Sequence, residues 1–289
     1  MIDLHSHTIE SDGTCTPREL VEAAANIGLE ALGITDHDTF SGYEQASPLA
    51  YEHGLDLVCG IELSTRAPLG RGRKTVHLLA YFLGGGPSAG FREWVASLLA
   101  SRRERNIRLI RSLNQHGIEI SLGEVETLGR TLTGRPHFAR VLMKKGYVGS
   151  TEEAFRRYLA ESAPSYVERD SPAIEDAIRA VAAGGGVSVL AHPVRLGFRR
   201  HHEEEERFIA GLKEMGLRGL EVWHSDHTAA DTARYLAMSE RLGMLRTGGT
   251  DFHGGNKPGL ELGTGRDGNV HVGREVLDQL RAGAAVRAL

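Results

Sequence analysis

Met1-Ile2-Asp3-Leu4-His5-Ser6-His7-Thr8-Ile9-Glu10-Ser11-Asp12 opens the chain, and its reading decides the fold. Ile2 and Leu4 alternate with polar neighbours, which predicts a short strand. His5 and His7 continue it at positions i and i+2, and alternate residues of an extended chain face one side. Two imidazoles aimed at one point are donors of the kind zinc and manganese sites use. Asp12 adds an oxygen donor just beyond. Alone, such a pair near a terminus is as often two exposed histidines as a metal site. The rest of the chain decides, because His, Asp or Glu follows strand after strand.

Outward from that stretch, Thr16-Pro17 with Glu19 predicts a helix start, and Gly28 its end. A strand at 31–35 ends in Asp36-His37-Asp38, and a helix follows at 42–53. The strand at 56–61 delivers Glu62, and a Gly/Arg-rich loop at 68–74 leads to a strand at 75–82 that carries His77 within it. From Gly84 the texture changes. A glycine hinge precedes a long amphipathic helix at 91–115, with Trp94, Leu98, Ile107, Ile110 and Leu113 on one side and arginines opposite. Shorter helices are predicted at 136–145, 151–159 and 172–183. Strands then resume at 186–191 (ending in His192), 219–223 (His224) and 244–248 (Asp251 and His253), with helices at 198–215 and 229–242 between them. The run His201 to Glu206 reads as a solvated face.

Composition limits the function classes. The chain has 289 residues, 40% hydrophobic and 25% charged, as ordinary soluble globular proteins do. A formal charge of −4 argues against a generic duplex nucleic-acid or anionic-membrane surface. No stretch approaches the ~18–20 apolar residues of a membrane span, and the N-terminus lacks a signal pattern. Cys15 and Cys59 are the only cysteines, so a disulfide framework is not expected and a cytoplasmic location is. Histidine is the outlier, with 14 copies.

Seven strand-like segments carry these groups mostly at their C-terminal ends, which converge on one face in a barrel of parallel strands. The collected set is His5, His7, Asp12, His37, Glu62, His77, His192, Asp251 and His253. It exceeds what one ion takes and suits two or three. Imidazole and carboxylate without thiolate favour manganese, with zinc or iron as alternatives.

The segments Asp3 to Thr8, Ser11 to Gly13, Gly33 to Asp38, Gly60 to Glu62, His77, Ala191 to Pro193 and Thr250 to His253 resemble the motif set of the PHP (polymerase and histidinol phosphatase) metallohydrolases. The resemblance implies an α/β fold: a distorted seven-stranded TIM-like barrel over 1–83 and 171–289, with an inserted helical lid at 84–170. It further implies that His5, His7, Glu62 and Asp251 hold one ion. Glu62, His77 and His192 hold a second, with Glu62 bridging, and Asp12, His37 and His253 hold a third. Glu62, His192 and Asp251 are the catalytic members, and Asp36 and Asp38 stand behind the ligands to orient imidazoles. Water activated by the ions attacks phosphorus, so no protein nucleophile is needed. In the lid, Arg135 stands at a loop-to-helix boundary, where a fork-shaped cation suits a phosphate. Arg135 and His137, with the Glu221 to His227 segment, resemble the branch that includes nucleoside-3′,5′-bisphosphate phosphatases and 5′→3′ exoribonucleases. That likeness makes Arg135, His137 and His224 substrate contacts, His227 a structural residue as readily as a contact, and a small phosphorylated nucleotide or short single-stranded RNA the substrate. Histidinol-phosphate phosphatase, a non-catalytic metal-binding module and a phosphate-ester sensor are the rival readings.

Overall fold

The computed structural model describes residues 1–70, 72–198 and 200–285. Seven strands form one sheet in chain order: β1 (Ile2–Ser6), β2 (Ala31–Ile34), β3 (Asp56–Leu69), β4 (Gly72–Phe82), β5 (Val187–Leu190), β6 (Gly219–His224) and β7 (Leu245–Gly249). The sheet curls into a nearly closed barrel. Asp251 N–H donates to the His5 carbonyl (2.8 Å) and His7 N–H to that of Phe252 (2.9 Å), so the chain leaving β7 pairs with the edge of β1. Gly249 permits this approach, since a Cβ there would stand 2.3 Å from the His5 nitrogen. Tyr81 of β4 donates to the Leu4 carbonyl of β1 across the barrel (3.0 Å).

Not all the strands are parallel, which corrects the sequence expectation. β4 runs antiparallel to both β3 and β5. This reversal explains why His77 lies inside its strand. The start of β4 reaches the same rim as the C-terminal ends of the others. The predicted loop at 68–74 is also mostly strand: β3 and β4 form a long hairpin paired out to Leu69 opposite Gly72, with Arg71 outside the described residues.

Helices cover the barrel. Helix α1 (Pro17–Asn26) begins at Thr16, whose side chain and that of Glu19 satisfy each other's backbone N–H groups. Helix α2 (Ser41–Glu52) packs its Ala46, Leu49 and Ala50 with Leu20, Val21, Leu32 and Ile34. Helix α3 (Ala89–Gln115) serves two cores. Its Phe91, Val95 and Leu98 join the cluster of Ile61, Leu78, Ile178 and Val181 on the barrel, while Leu109 and Leu113 join Val125, Phe138, Leu142 and Leu159. The second cluster belongs to α4 (Leu122–Gly129), α5 (Arg135–Lys144), α6 (Thr151–Ala154) and a π-helical turn at Phe155–Leu159. Helices α7 (Ile174–Ala183), α8 (His202–Glu214), α9 (Ala229–Arg241) and α10 (Arg274–Ala285) complete the described chain. The sequence reading missed α4 and α10, although Ser121 and Glu124 form the reciprocal cap that signals α4.

The charged run is only partly a solvated face. Glu205 is buried, pairs with Arg234 and accepts from the Tyr235 hydroxyl (2.8 Å), because α8 and α9 meet there. Among the described residues no helix is long and apolar enough to cross a membrane.

Candidate metal centre

All nine residues that the sequence singled out as ligands meet at the C-terminal rim of the barrel. Glu62 stands at their centre. Its Oε2 lies 3.5 Å from His5 Nε2, 3.2 Å from His7 Nε2 and 3.2 Å from His37 Nδ1. Its Oε1 lies 2.9 Å from both His77 Nδ1 and His192 Nε2. Asp251 Oδ1 is 3.4 Å from His5 Nε2 and 3.3 Å from His7 Nε2. Beyond His7, Asp12 Oδ1 lies 3.2 Å from His253 Nε2, and Asp12 Oδ2 lies 3.9 Å from His37 Nε2. His37 therefore faces both Glu62 and Asp12.

Strand geometry delivers this set. His5 and His7 are alternate residues leaving β1, and His77 shares the face of β4 that carries Leu79 and Tyr81. At the strand ends the chain turns sharply. Asp38, His192 and Asp251 have φ of 50°, 27° and 56°, a left-handed conformation costly for non-glycine residues. Such outliers cluster where surrounding structure fixes a functional group.

The electrostatics demand positive charge. Burial opposes ionisation of Glu62, but the His37, His77 and His5 imidazoles outweigh it and hold the carboxyl well below its usual range. For Asp251, burial is outweighed by Lys257, His5, His253 and Arg195; for Asp12, by His253, His37 and His7. Burial disfavours charge on His7 too, yet the Asp251 and Glu62 carboxylates beside it push it up to about 9. Three ionised carboxylates in a dry site favour cations strongly.

The donor set fits divalent ions on a direct observation. His5 Nε2, His7 Nε2, His37 Nδ1, His77 Nδ1 and Asp12 Oδ1 are buried with no hydrogen-bond partner. Buried polar atoms almost always have one. Moreover, a tetrahedral ion with bonds of ~2.1 Å sets its donors roughly 3.4 Å apart. The separations of 3.2–3.5 Å among His5, His7, Glu62 and Asp251 match that spacing.

Supporting residues are less as expected. Asp36 accepts from Thr8 N–H (2.8 Å), Thr8 Oγ1 (2.7 Å) and Ser11 Oγ (2.5 Å), so it braces the turn that carries His7 and Asp12. Asp38 orients no imidazole. It accepts from Ser64 N–H (2.9 Å) and pairs with Arg102 and with Arg169 (2.8 Å). Glu221 was missed. Fully buried, its Oε1 takes the His5 Nδ1 proton (2.8 Å) while its Oε2 accepts His192 N–H (2.6 Å). A carboxylate three residues before His224 on an apolar strand was the available signal. Glu221→Gln is expected to weaken metal binding about 10–100-fold, as loss of such a partner does. The amide offers one acceptor where two N–H groups need one each. Competition with a chelating dye would measure the shift, and an unchanged affinity would remove Glu221 from the site.

The three expected substrate contacts fare differently. Arg135 lines a cavity of about 190 Å3 that also touches Asp12, His37 and His77. Its Nη1 donates to the Leu159 carbonyl (3.1 Å), and its guanidinium lies 5.8 Å and 5.7 Å from the Phe155 and Tyr166 ring centres. His137 is buried, and its Nδ1 accepts Gly134 N–H (3.0 Å), capping α5; the cavity lining does not include it. His224 lies beneath the rim, its ring 5.3 Å from that of His192, with Nδ1 accepting Asp226 N–H (3.0 Å). His227 bonds the Val222 carbonyl (2.8 Å) and packs on Tyr235, a structural placement.

A near-closed α/β barrel with a buried imidazole–carboxylate cluster at its active rim defines a metal-dependent hydrolase. The PHP domain pattern matches residues 3–160. The chain is 32% identical over 269 residues to the 3′,5′-nucleoside bisphosphate phosphatase of Chromobacterium violaceum, covering 92% of each. It is 34% identical over 256 residues to the phosphoribosyl 1,2-cyclic phosphate 1,2-diphosphodiesterase of Eggerthella lenta, covering 87% of this chain and 94% of the relative. A 5′-3′ exoribonuclease of Haemophilus influenzae is 30% identical over 252 residues, with 87% and 89% covered. Among solved structures, a protein of Bifidobacterium adolescentis assigned as a metal-dependent phosphoesterase superposes with a TM-score of 0.81 at 30% identity, over 98% of this chain and 96% of that one. This chain belongs to the PHP family and is a metal-dependent phosphoesterase.

Proposed function

We propose that this phosphoesterase removes one terminal phosphate from a nucleoside 3′,5′-bisphosphate and releases the nucleoside 5′-monophosphate. One observation carries the reading: unpartnered imidazole nitrogens converge on Glu62 at one end of a cavity whose wall holds Arg66, Arg102, Arg105, Arg135 and Arg169. A monophosphate needs the metal end alone. Five guanidinium groups beyond it suit a second anionic group on the same small molecule.

In this reading His5, His7, Glu62 and Asp251 hold one ion, Glu62, His77 and His192 a second, and Asp12, His37 and His253 a third. Bound there, divalent ions supply an acidified water and neutralise charge on the phosphoryl oxygens. Manganese suits the donor set, which contains no thiolate. Glu62 would hold ions with both oxygens, since Oε2 faces His5, His7 and His37 and Oε1 faces His77 and His192, and Asp251 aims Oδ1 at His5 and His7. Arg195 (3.0 Å) and Lys257 face Asp251 Oδ2, adding positive charge at the rim. Residues 84–170 form a lid over a barrel built of 1–83 and 171–289, and the β3–β4 hairpin meets that lid where Arg66 pairs with Glu161 (2.5 Å) and Glu168 (2.9 Å). The cysteines are free, as in a cytoplasmic protein.

A second cavity, of about 180 Å3, favours a further substrate, short 5′-phosphorylated RNA. It lies on the His253 side of Asp12 and is lined by Arg140, Asn256 and Lys257. Arg140 has two buried nitrogens without partners. A strand crossing the metal centre would meet cations on both sides. A duplex would not fit such enclosed sites.

The test is phosphate release from adenosine 3′,5′-bisphosphate, AMP, histidinol phosphate and a 5′-phosphorylated trinucleotide, in manganese, with elemental analysis of the protein. The bisphosphate is expected to lead AMP by at least about tenfold, roughly 1.4 kcal/mol in the barrier, with two or three ions per chain. Histidinol phosphate as the best substrate would overturn the reading.

A further inference from the structure

The arginine-lined cavity contains one cation that no carboxylate balances among the described residues. Arg66 has Glu161 and Glu168. Arg102 and Arg169 share Asp38. Arg135 donates to a carbonyl and lies against two aromatic rings. Arg105 has none of these. It is 3% exposed, its Nε is buried without a hydrogen bond, and among the described residues no carboxylate pairs with it. Burial pushes its guanidinium well below the usual value, Arg102, Arg135 and Arg169 push the same way, and Tyr166 alone opposes them. Its neighbour on α3, Arg102, is one turn away, where like charges repel.

A guanidinium left unpaired in a dry site is strongly unfavourable, and native proteins accept that mainly where a ligand supplies the missing charge. Here the deficit faces a cavity, not the packed interior of the helical cluster. The same cavity is lined by His37, His77 and Asp12. Arg105 is not one of the residues clustered around Glu62, so an anion at Arg105 would share the cavity with the reacting phosphoryl group without being it.

We propose that Arg105, with Arg102 and Arg169 held beside it by Asp38, grips the second, non-reacting phosphate of the substrate. The proposal rests on the bisphosphate reading and assigns its recognition to Arg105, whereas the sequence pointed to Arg135. A fully ionised phosphate monoester brings two negative charges, which an uncharged ribose hydroxyl cannot supply. The same grip explains how the site distinguishes a bisphosphate from a nucleoside carrying one phosphate.

The experiment uses the full chain stripped of metal by chelation, so that binding is read without turnover. The probes are AMP and adenosine, titrated by calorimetry into wild type, Arg105→Met and Arg105→Lys, with melting curves of each protein alone. Wild type is expected to bind AMP at least tenfold tighter than adenosine. Arg105→Met should lose tenfold to a hundredfold in AMP affinity and keep its weak adenosine affinity, with Arg105→Lys between. Without ligand, Arg105→Met should melt at or above the wild-type temperature, because it discards an unbalanced buried charge. AMP binding unchanged in Arg105→Met would overturn the proposal. So would a lower melting temperature of that variant, which would make Arg105 a packing residue. If wild type fails to hydrolyse the bisphosphate while the AMP result holds, the hydrolytic reading falls and the anion grip stands. If it hydrolyses the bisphosphate and Arg105→Met binds AMP normally, the grip alone falls.

Discussion

Glu62→Gln is expected to lower turnover by at least about a thousandfold, near 4 kcal/mol of barrier, while the barrel stays folded. Glu62 is 1% exposed and gives one oxygen to His77 and His192 and the other to His5, His7 and His37. The amide keeps the volume but points an NH2 group at one of these two sets, where a donor meets ring nitrogens that a cation should occupy. It also deletes a negative charge that would hold cations at the cluster. The main chain should not notice. Glu62 N–H bonds the Thr35 carbonyl (3.1 Å) and its own carbonyl accepts Asp38 N–H (3.0 Å), links that do not involve the side chain. Phosphate release, elemental analysis and circular dichroism together decide the matter. Activity within tenfold of wild type, or an unchanged ion content, would remove Glu62 from the bridge.

How far the sequence reaches can be judged at particular residues. His5 and His7 were legible because strand parity is a local property, fixed by the backbone. His37, Glu62 and His192 were legible because each follows a short apolar run that reads as a strand, and Asp251 because it follows the last segment of that series. The direction of β4 was not, since alternation reads the same either way and only pairing with β3 and β5 sets it. Arg102 and Arg105 stood out in the sequence only as arginines opposite the apolar side of an amphipathic helix. That side of α3 instead meets the barrel rim and the segment around Arg169, 64 to 131 residues away from Asp38 along the chain. Long-range partners of this kind leave no spacing pattern. Glu205 was hidden likewise, by a charged run whose other members are solvated, until α9 brought Arg234 and Tyr235 to it. Arg135 does begin a helix, as its place before Pro136 implied, and it lines the arginine cavity, while His137 caps that same helix.

Asp38→Asn is expected to destabilise the protein by about 3–5 kcal/mol, the range for removing one partner of a buried ion pair. Asp38 is fully buried at the end of β2, in a left-handed turn, and one of its oxygens faces both Arg102 of α3 and Arg169 of the segment before α7. Its other oxygen accepts Ser64 N–H from β3. One carboxylate thus ties the helical segment to the barrel at two points. Asparagine can still accept from Ser64, but it then turns NH2 toward two guanidinium groups, and both lose the one carboxylate that pairs with them among the described residues. The cost is therefore uncompensated charge, not merely a lost hydrogen bond. For a chain of this length each kcal/mol lowers the melting temperature by about 2–4 °C, so a drop of roughly 6–20 °C is expected. Binding should suffer in the same variant. Arg102 and Arg169 lose the anchor that fixes them beside Arg105, so KM for the bisphosphate should rise more than kcat falls. Urea titration and steady-state kinetics test the two halves separately. A loss below about 1 kcal/mol would mean that both arginines find other partners, and that Asp38 does not hold the helical segment to the barrel.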